Sequence, residues 1–134
     1  YYYDKHSDKN RFELVQNIFT VRKNHKSNSA ASHIMFNSTG DNLLCSNAGD
    51  NTVTIYKVDK ESGKLSSLNS LPVSGDYPKY INLLPDDKHL MSMNNEGNTI
   101  TIFTVDYSRG LIVMNGPELK ISRPNNMVIK KLEG

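Results

Sequence analysis

Short stretches rich in β-branched and aromatic residues alternate with polar turns along this chain, and the pattern predicts strands. Runs dominated by Thr, Val and Ile are separated by turn sequences such as Ser38-Thr-Gly-Asp-Asn42 and Asn47-Ala-Gly-Asp-Asn51. No apolar stripe with a 3.6-residue period continues for long, so helical repeats are disfavoured. The pattern therefore indicates an all-β chain.

The second half of the chain repeats the first half. When the sequence is shifted by 47 residues, residues 34–63 align with residues 81–110 without a gap, and ten of the 30 pairs are identical. Unrelated sequences would share about two identities over this length. The strongest part pairs residues 51–59 with residues 98–106. Two copies of one structural unit explain this similarity.

Each copy contains four predicted strands, which we call a to d. They lie near residues 31–37, 43–47, 52–58 and 64–72 in the first copy, and near 78–84, 90–94, 99–105 and 111–119 in the second. Residues 11–21 look like strand d of an earlier unit, and residues 124–129 look like the start of strand a of a later one. Strand c is apolar on both faces, which is what sheets covered on both sides require.

The repeat predicts a fragment of a β-propeller, with two complete four-stranded antiparallel blades and partial flanking blades. The period of 47 residues is close to that of propeller blades. We expect residues 1–30 to end a preceding blade, residues 31–75 and 76–121 to form complete blades, and residues 122–134 to start a closing blade. A β-sandwich of about ten strands is the structural alternative. The first residues read as a strand entered from upstream, so we expect a longer native chain.

Antiparallel strands place successive turns at opposite ends of a blade, so the loops fall into two groups, one at each end. The d-to-a connectors and the b–c turns lie at one end, and strand a lines the central channel. We expect ligands at this end, because function is concentrated on loops held by a rigid scaffold. The polar residues assigned to it are His33, Asn47, Asp76, Tyr77, Lys79, Asn94, Asn95, Glu96, Arg123 and Asn125.

Composition narrows the possible partners and the compartment. A net charge of +2 without a basic cluster argues against nucleic acid, and no apolar run is long enough to cross a membrane. Cys45 is the only cysteine, and the start of the chain does not read as a signal peptide. We therefore expect a cytoplasmic protein. Recognised metal and cofactor motifs are missing from the sequence, so we expect no cofactor and no metal.

The detailed motifs resemble the seven-bladed lactonase family of 6-phosphogluconolactonase-like propellers. They include Phe36-Asn-Ser-Thr-Gly40, Leu43-Leu-Cys-Ser-Asn47 and Val73-Ser-Gly-Asp-Tyr-Pro-Lys79. The resemblance implies a parent of seven blades of which this chain is the C-terminal third. It also implies that the parent hydrolyses a sugar lactone, its small-molecule partner. The generic strand-and-turn pattern is shared with WD-like and surface-layer propellers.

Two positions depart from the family pattern. The family usually has Arg where this chain has Ala48, and Pro-Arg where it has Pro78-Lys79. Lysine does not replace an arginine that binds an anion through two hydrogen bonds. The alternative function is therefore a propeller that has lost catalysis and serves as a binding or scaffold module.

His33 is the candidate catalytic residue, as a general base for water that attacks a lactone carbonyl. A packing or surface histidine is the alternative. The candidate substrate-binding residues are Lys79, Asn47, Asn94, Glu96 and Arg123. Lys79 and Glu96 have the alternative of being ordinary solvated charges. Asn47 and Asn94 have the alternative of stabilising their own turns, because asparagine tolerates left-handed backbone.

A section of a propeller cannot close its ring, so its outer blades should expose apolar faces and unpaired strand edges. We expect the chain to self-associate through these surfaces. We do not expect it to be active alone, because a channel site draws residues from many blades.

Overall fold

A computed structural model of the chain describes residues 1–6, 12–25, 28–130 and 132. These residues form eleven strands and no helix, which confirms the all-β prediction, and none of them belongs to a helix that could span a membrane. The strands are β1 (Tyr2–Tyr3), β2 (Phe12–Glu13), β3 (Ala30–Phe36), β4 (Asn42–Ala48), β5 (Thr52–Val58), β6 (Leu65–Pro72), β7 (Pro78–Leu83), β8 (His89–Asn94), β9 (Thr99–Asp106), β10 (Leu111–Met114) and β11 (Leu119–Lys120).

Two antiparallel sheets make up most of the structure. The first blade has the order β3-β4-β5-β6 and the second has the order β7-β8-β9-β10, so each strand pairs with its neighbour in the sequence. The strand β11 also pairs with β9. These are the two four-stranded units expected from the repeat, in two sheets and not in one shared sheet.

Turns 47 residues apart adopt the same backbone conformation. Asn51 and Asn98 have φ angles of 57° and 54°, and Gly63 and Gly110 have φ angles of 67° and 61°. The c–d turn of each blade also begins with an aspartate whose carboxylate accepts backbone N–H groups, a common way to close such a turn. The sequence repeat is therefore a repeat of three-dimensional structure.

The main hydrophobic core lies between the two blades. The first blade contributes Leu44, Val53 and Ile55, the second contributes Ile81, Leu83, Leu90, Phe103 and Val105, and Val73 joins them from the connector. Burial of this surface is the main force that holds the two sheets together.

The opposite face of the first blade is only partly covered. Residues 16–20 cross its outer strands, where the Tyr56 hydroxyl donates to the Phe19 carbonyl at 2.8 Å. Burial raises the pKa of Tyr56 to about 12 and that of the Cys45 thiol to about 11. On the innermost strand, in contrast, Ile34 and Phe36 are 60% and 54% exposed.

The a–b turns tie the blades together at the end opposite the connectors. Ser38 donates to the Asp87 carboxylate through its backbone N–H and its hydroxyl, at 2.8 and 2.5 Å. The Tyr107 hydroxyl donates to the Asp87 carbonyl oxygen at 2.8 Å. The bonds from Ser38 restrict rotation of one sheet against the other, and the Tyr107 bond joins the a–b and c–d turns within the second blade.

Three predicted strands differ from the strands in the structure. Of residues 11–21, residue 11 lies outside the described residues and only Phe12–Glu13 is a strand, because its partner β1 has two residues. Residues 124–129 form no strand, because no neighbouring strand pairs with them. The strand predicted at residues 111–119 leaves β9 after Met114 and rejoins it at Leu119, because Gly116, with a φ of 73°, turns the chain between them.

Paired glycine substitutions test the packing between blades. A Cβ atom on Gly110 would lie 2.8 Å from the Leu68 Cβ of the first blade, whereas one on Gly63 would meet nothing within 4 Å. Both alanine variants lose about 1 kcal/mol of folding free energy to the left-handed backbone. We expect Gly110→Ala to lose a further 1–3 kcal/mol or so through the clash. Equal losses in urea unfolding would contradict the interblade contact.

Candidate functional site

The d-to-a connectors and the b–c turns meet at one end of the blades, as predicted. The Asn51 side chain donates to the Asp76 carboxylate at 2.8 Å and accepts from the Tyr77 backbone N–H at 2.9 Å. In the second blade the Asn98 side chain accepts from the Arg123 backbone N–H at 3.1 Å. The two asparagines of the b–c turns thus fix the connectors. We call this the connector end.

Strained backbone is concentrated at the connector end. Of the six non-glycine residues with left-handed φ in the described chain, five lie there and only Asp87 lies at the opposite end. The five are Asn51, Ser74, Tyr77, Asn98 and Arg123. Left-handed backbone is costly for residues other than glycine and is common at functional sites. It marks the connector end as the candidate site.

His33 lies on the innermost strand of the first blade, beside Tyr80 of the second. Their ring centroids are 4.0 Å apart and the rings are inclined by 38°. Both residues follow register shifts of their strands, between Ala31 and His33 in β3 and between Pro78 and Tyr80 in β7. A bulge re-aims the side chains next to it. The two equivalent bulges bring the two rings into contact.

The surroundings of His33 favour a neutral imidazole. The side chain is half-buried, and its desolvation lowers the pKa below the usual 6.5. Its Nδ1 atom is buried and has no hydrogen-bond partner in the part of the chain that is described. A neutral imidazole can accept a proton near neutral pH, and because Nδ1 is buried, Nε2 is the nitrogen that can take one from solvent.

Ser32, the residue before His33, joins the innermost strands of the two blades by a hydrogen bond. Its hydroxyl donates to the Pro78 carbonyl oxygen at 2.7 Å and lies 3.0 Å from the Ser46 hydroxyl oxygen. These contacts place β3 against β7 at the level of the bulges. Lys79, between Pro78 and Tyr80, is exposed and forms no ion pair with any described residue.

Asn47 and Asn94 have no exposed surface. The Asn47 amide donates to the hydroxyls of Thr52 and Thr54, and the Asn94 amide donates to those of Thr99 and Thr101. Asn47 also donates to the Thr20 carbonyl oxygen at 2.8 Å. These bonds give the two asparagines a structural role within the blades. Neither residue has the left-handed backbone that the alternative assumed.

Glu96 and Arg123 are exposed at the connector end. Their side chains form no hydrogen bond or ion pair with His33 within the described ranges. The structure thus brings His33 and Lys79 to adjoining innermost strands, and it leaves Glu96 and Arg123 on separate loops. No three His, Cys, Asp or Glu side chains among the described residues are arranged to hold a metal ion.

The family model for Lactonase, 7-bladed beta-propeller matches residues 1–129 of this chain. The chain belongs to this family. The resemblance to lactonase propellers and the propeller fold are therefore confirmed. The match covers both complete blades and the β1–β2 pair.

The chain spans about a third of the length of the relatives that it matches. The chain is 20% identical over 113 residues to the 6-phosphogluconolactonase of Bacillus subtilis (strain 168), covering 84% of this chain and 32% of that protein. It is 26% identical over 107 residues to an uncharacterized protein of Lactococcus lactis subsp. cremoris, covering 80% and 31%. The structure of the periplasmic gluconolactonase of Pseudomonas aeruginosa shares the fold, with a TM-score of 0.74, 19% identity, and coverage of 79% of this chain and 30% of that one.

Sequence reasoning missed Ser32 and Tyr80 as neighbours of His33 in this lactonase-family chain. The signal was present in the repeat, because Tyr80 is the residue 47 positions after His33. Equivalent positions on adjacent innermost strands lie next to each other in a propeller. The bulges that turn the two rings together have no signature in the sequence.

Replacing Asn94 with alanine tests its structural role. The change removes the Asn94 amide that bonds the buried hydroxyls of Ser92, Thr99 and Thr101. We expect a loss of about 2 kcal/mol in the free energy of unfolding, measured by urea titration. The exposed Asn125, changed to alanine as a control, should alter it by less than about 0.5 kcal/mol. Similar small effects at both sites would refute the structural role.

Proposed function

We propose that the parent protein hydrolyses a sugar lactone, with this chain as its C-terminal third. The observation that carries the proposal is the desolvated His33 on the innermost strand at the connector end. Its Nδ1 atom is buried, so Nε2 is the nitrogen proposed to meet the water. Membership of the lactonase family supports the same reaction. The 6-phosphogluconolactonase and the gluconolactonase among the relatives are named for this chemistry.

In the proposed reaction His33 acts as a general base. The neutral imidazole takes a proton from a water molecule as its oxygen attacks the lactone carbonyl carbon. The bond from that carbon to the ring oxygen then breaks, and the ring oxygen takes the proton back. The product is an open-chain hydroxy acid that contains all the atoms of the lactone and of the water molecule.

Lys79 and Arg123 are proposed to hold the anionic part of the substrate or product as exposed cations. Glu96 is proposed to accept hydrogen bonds from substrate hydroxyl groups. Asn47 and Asn94 contribute indirectly, because their buried amides hold the strands and connectors that carry these groups.

A catalytically inactive binding module is the second candidate. Ala48 favours it, because the family usually has an arginine here and a buried alanine provides no charge for an anionic substrate. Lys79 favours it too, since one ammonium group recognises an oxyanion less specifically than a guanidinium group.

The parent is proposed to act in the cytoplasm. Cys45 is a free, buried thiol, which is compatible with a reducing compartment. The relative from Pseudomonas aeruginosa is described as periplasmic, so the family is not restricted to one compartment.

The enzyme proposal is tested by lactone hydrolysis in the full-length parent. We expect His33→Gln to lower kcat by about 10²–10⁴-fold, because the variant lacks the base. The matched control is His89→Gln, since His89 pairs with Asp86 in an a–b turn at the opposite end. It should leave kcat unchanged. A folded parent without activity would favour the binding module, and full activity of His33→Gln would remove His33 from the mechanism.

The pH profile gives a second test of His33. The base works only when neutral, and desolvation lowers its pKa below 6.5. The rate should therefore decline on acidification through a midpoint below pH 6.5. His33→Gln should abolish this acidic limb. A midpoint above 6.5 would contradict a desolvated base.

Self-association of the isolated chain is also proposed, with a second copy as the partner. Ile34 and Phe36 are exposed, whereas their counterparts Ile81 and Leu83 are buried against the first blade. We propose that a sheet of a second copy covers Ile34 and Phe36, as the first blade covers Ile81 and Leu83. We expect Ile34→Lys with Phe36→Lys to shift sedimentation toward monomer. A monomeric unmodified chain at about 100 μM would refute the contact.

A further inference from the structure

The two connectors that lead into the innermost strands differ in length. Each is anchored by an equivalent threonine: Thr54 donates to the Thr20 carbonyl oxygen, and Thr101 donates to the Val73 carbonyl oxygen. Ten residues lie between Thr20 and Ala31, but only four lie between Val73 and Pro78, the counterpart of Ala31. The first connector therefore carries six extra residues at the connector end.

The two connectors also differ in charge. The longer one contains Arg22, Lys23 and His25. The shorter one has the sequence Ser74-Gly-Asp-Tyr77 and contains no basic residue. The repeat therefore places a basic segment in one interblade position and an acidic one in the next.

The shorter connector packs closely on its b–c turn. The Gly97 backbone N–H donates to the Asp76 carbonyl oxygen at 3.1 Å, and Gly75 lies directly against the Asn94 side chain. Beside residues 22–25, a described part of the longer connector, lies an open cleft of about 520 Å³. Its lining includes Arg22, Lys23, Asn24 and His25 from the connector, and Asp50 and Thr52 from the b–c turn.

Two hydrogen bonds fix groups on the walls of the cleft and leave other donor and acceptor atoms available. Arg22 donates from Nη2 to the Ser70 carbonyl oxygen at 2.6 Å, which fixes the guanidinium group and leaves its other N–H donors. The Thr52 hydroxyl donates to Asp50 Oδ2 at 2.8 Å, which leaves Oδ1 as an acceptor. Within the described residues no ion pair joins Asp50 to Arg22 or Lys23.

These walls define the chemistry of a ligand. The basic wall suits an oxyanion, because arginine and lysine bind phosphate and carboxylate groups through charge-assisted hydrogen bonds. The opposite wall, with Asp50 Oδ1, accepts hydrogen bonds from hydroxyl groups. A volume of about 520 Å³ is in the range of small-molecule sites. No described residue of the innermost strands β3 and β7 lines the cleft.

We propose that this cleft binds a small polyhydroxylated oxyanion, a sugar phosphate or a sugar acid, outside the channel. The phosphate or carboxylate contacts Arg22 and Lys23, and the hydroxyl groups contact Asp50 and Asn24. The site is independent of the proposed lactone hydrolysis and does not require it.

Isothermal titration of the 134-residue chain tests the cleft with four probes: inorganic phosphate, glucose 6-phosphate, gluconate and glucose. We expect glucose 6-phosphate or gluconate to bind more tightly than inorganic phosphate, and glucose to give no binding. The stronger of the two tells whether the site prefers a phosphate or a carboxylate. Arg22→Gln should weaken binding of that ligand about tenfold.

Asp50→Asn gives effects of opposite sign on two probes. The neutral side chain accepts hydrogen bonds from hydroxyl groups less strongly, so the sugar ligand should bind less tightly. The lost negative charge no longer repels an anion, so inorganic phosphate should bind more tightly. A merely structural effect would weaken both. Thermal unfolding of each variant confirms that it is folded.

Lys64→Gln is the matched control for charge, because Lys64 is exposed beside the c–d turn at the other end of the first blade. It should leave binding unchanged. The proposal is overturned if no probe binds or if Lys64→Gln weakens binding as much as Arg22→Gln. It is also overturned if inorganic phosphate binds as tightly as both sugar anions.

Discussion

Burial of both faces of every sheet is the constraint on which this structure depends. The strands of a blade carry apolar side chains on both sides, so each face is buried only where other parts of the chain cover it. The second blade shows the satisfied case at one of its faces, with Ile81 and Leu83 buried against the first blade. The first blade shows the unsatisfied case at the equivalent Ile34 and Phe36, which are exposed. Two residues 47 positions apart thus differ in exposure only because one has a neighbouring sheet and the other does not.

Polar groups inside the blades attach the connectors to the sheets. Thr54 and Thr101 each hold the connector that leads into the innermost strand of their own blade, and the buried amides of Asn47 and Asn94 donate to these threonines. An unpartnered amide in such a place would cost more than its hydrogen bonds contribute, so the whole set must form together. The result is a repeated scaffold whose connectors begin from the same point and then vary freely.

Chemical variation is confined to the parts that the scaffold does not specify. The bulges in β3 and β7 lie at equivalent positions of the two blades, but one is followed by His33 and the other by Tyr80. The connectors differ more, since one is short and closed and the other is long, basic and open. Left-handed backbone accumulates at this end for the same reason, because tight connectors between rigid sheets require it. A propeller can therefore alter its site without altering its blades.

The sequence alone determined the all-β class, the two repeated blades and the end at which their connectors meet. These features arise from local patterns: alternating β-branched residues, turn asparagines and glycines, and an exact spacing that repeats. The tertiary structure decided where the predicted strands at residues 11–21 and 124–129 fail, since a strand requires a partner that local sequence does not supply. It also decided that Asn47 and Asn94 are buried, that His33 lies against Tyr80, and that a basic cleft opens at Arg22. Each of these depends on contacts between residues distant in the chain, and such contacts exist only after two sheets have packed together.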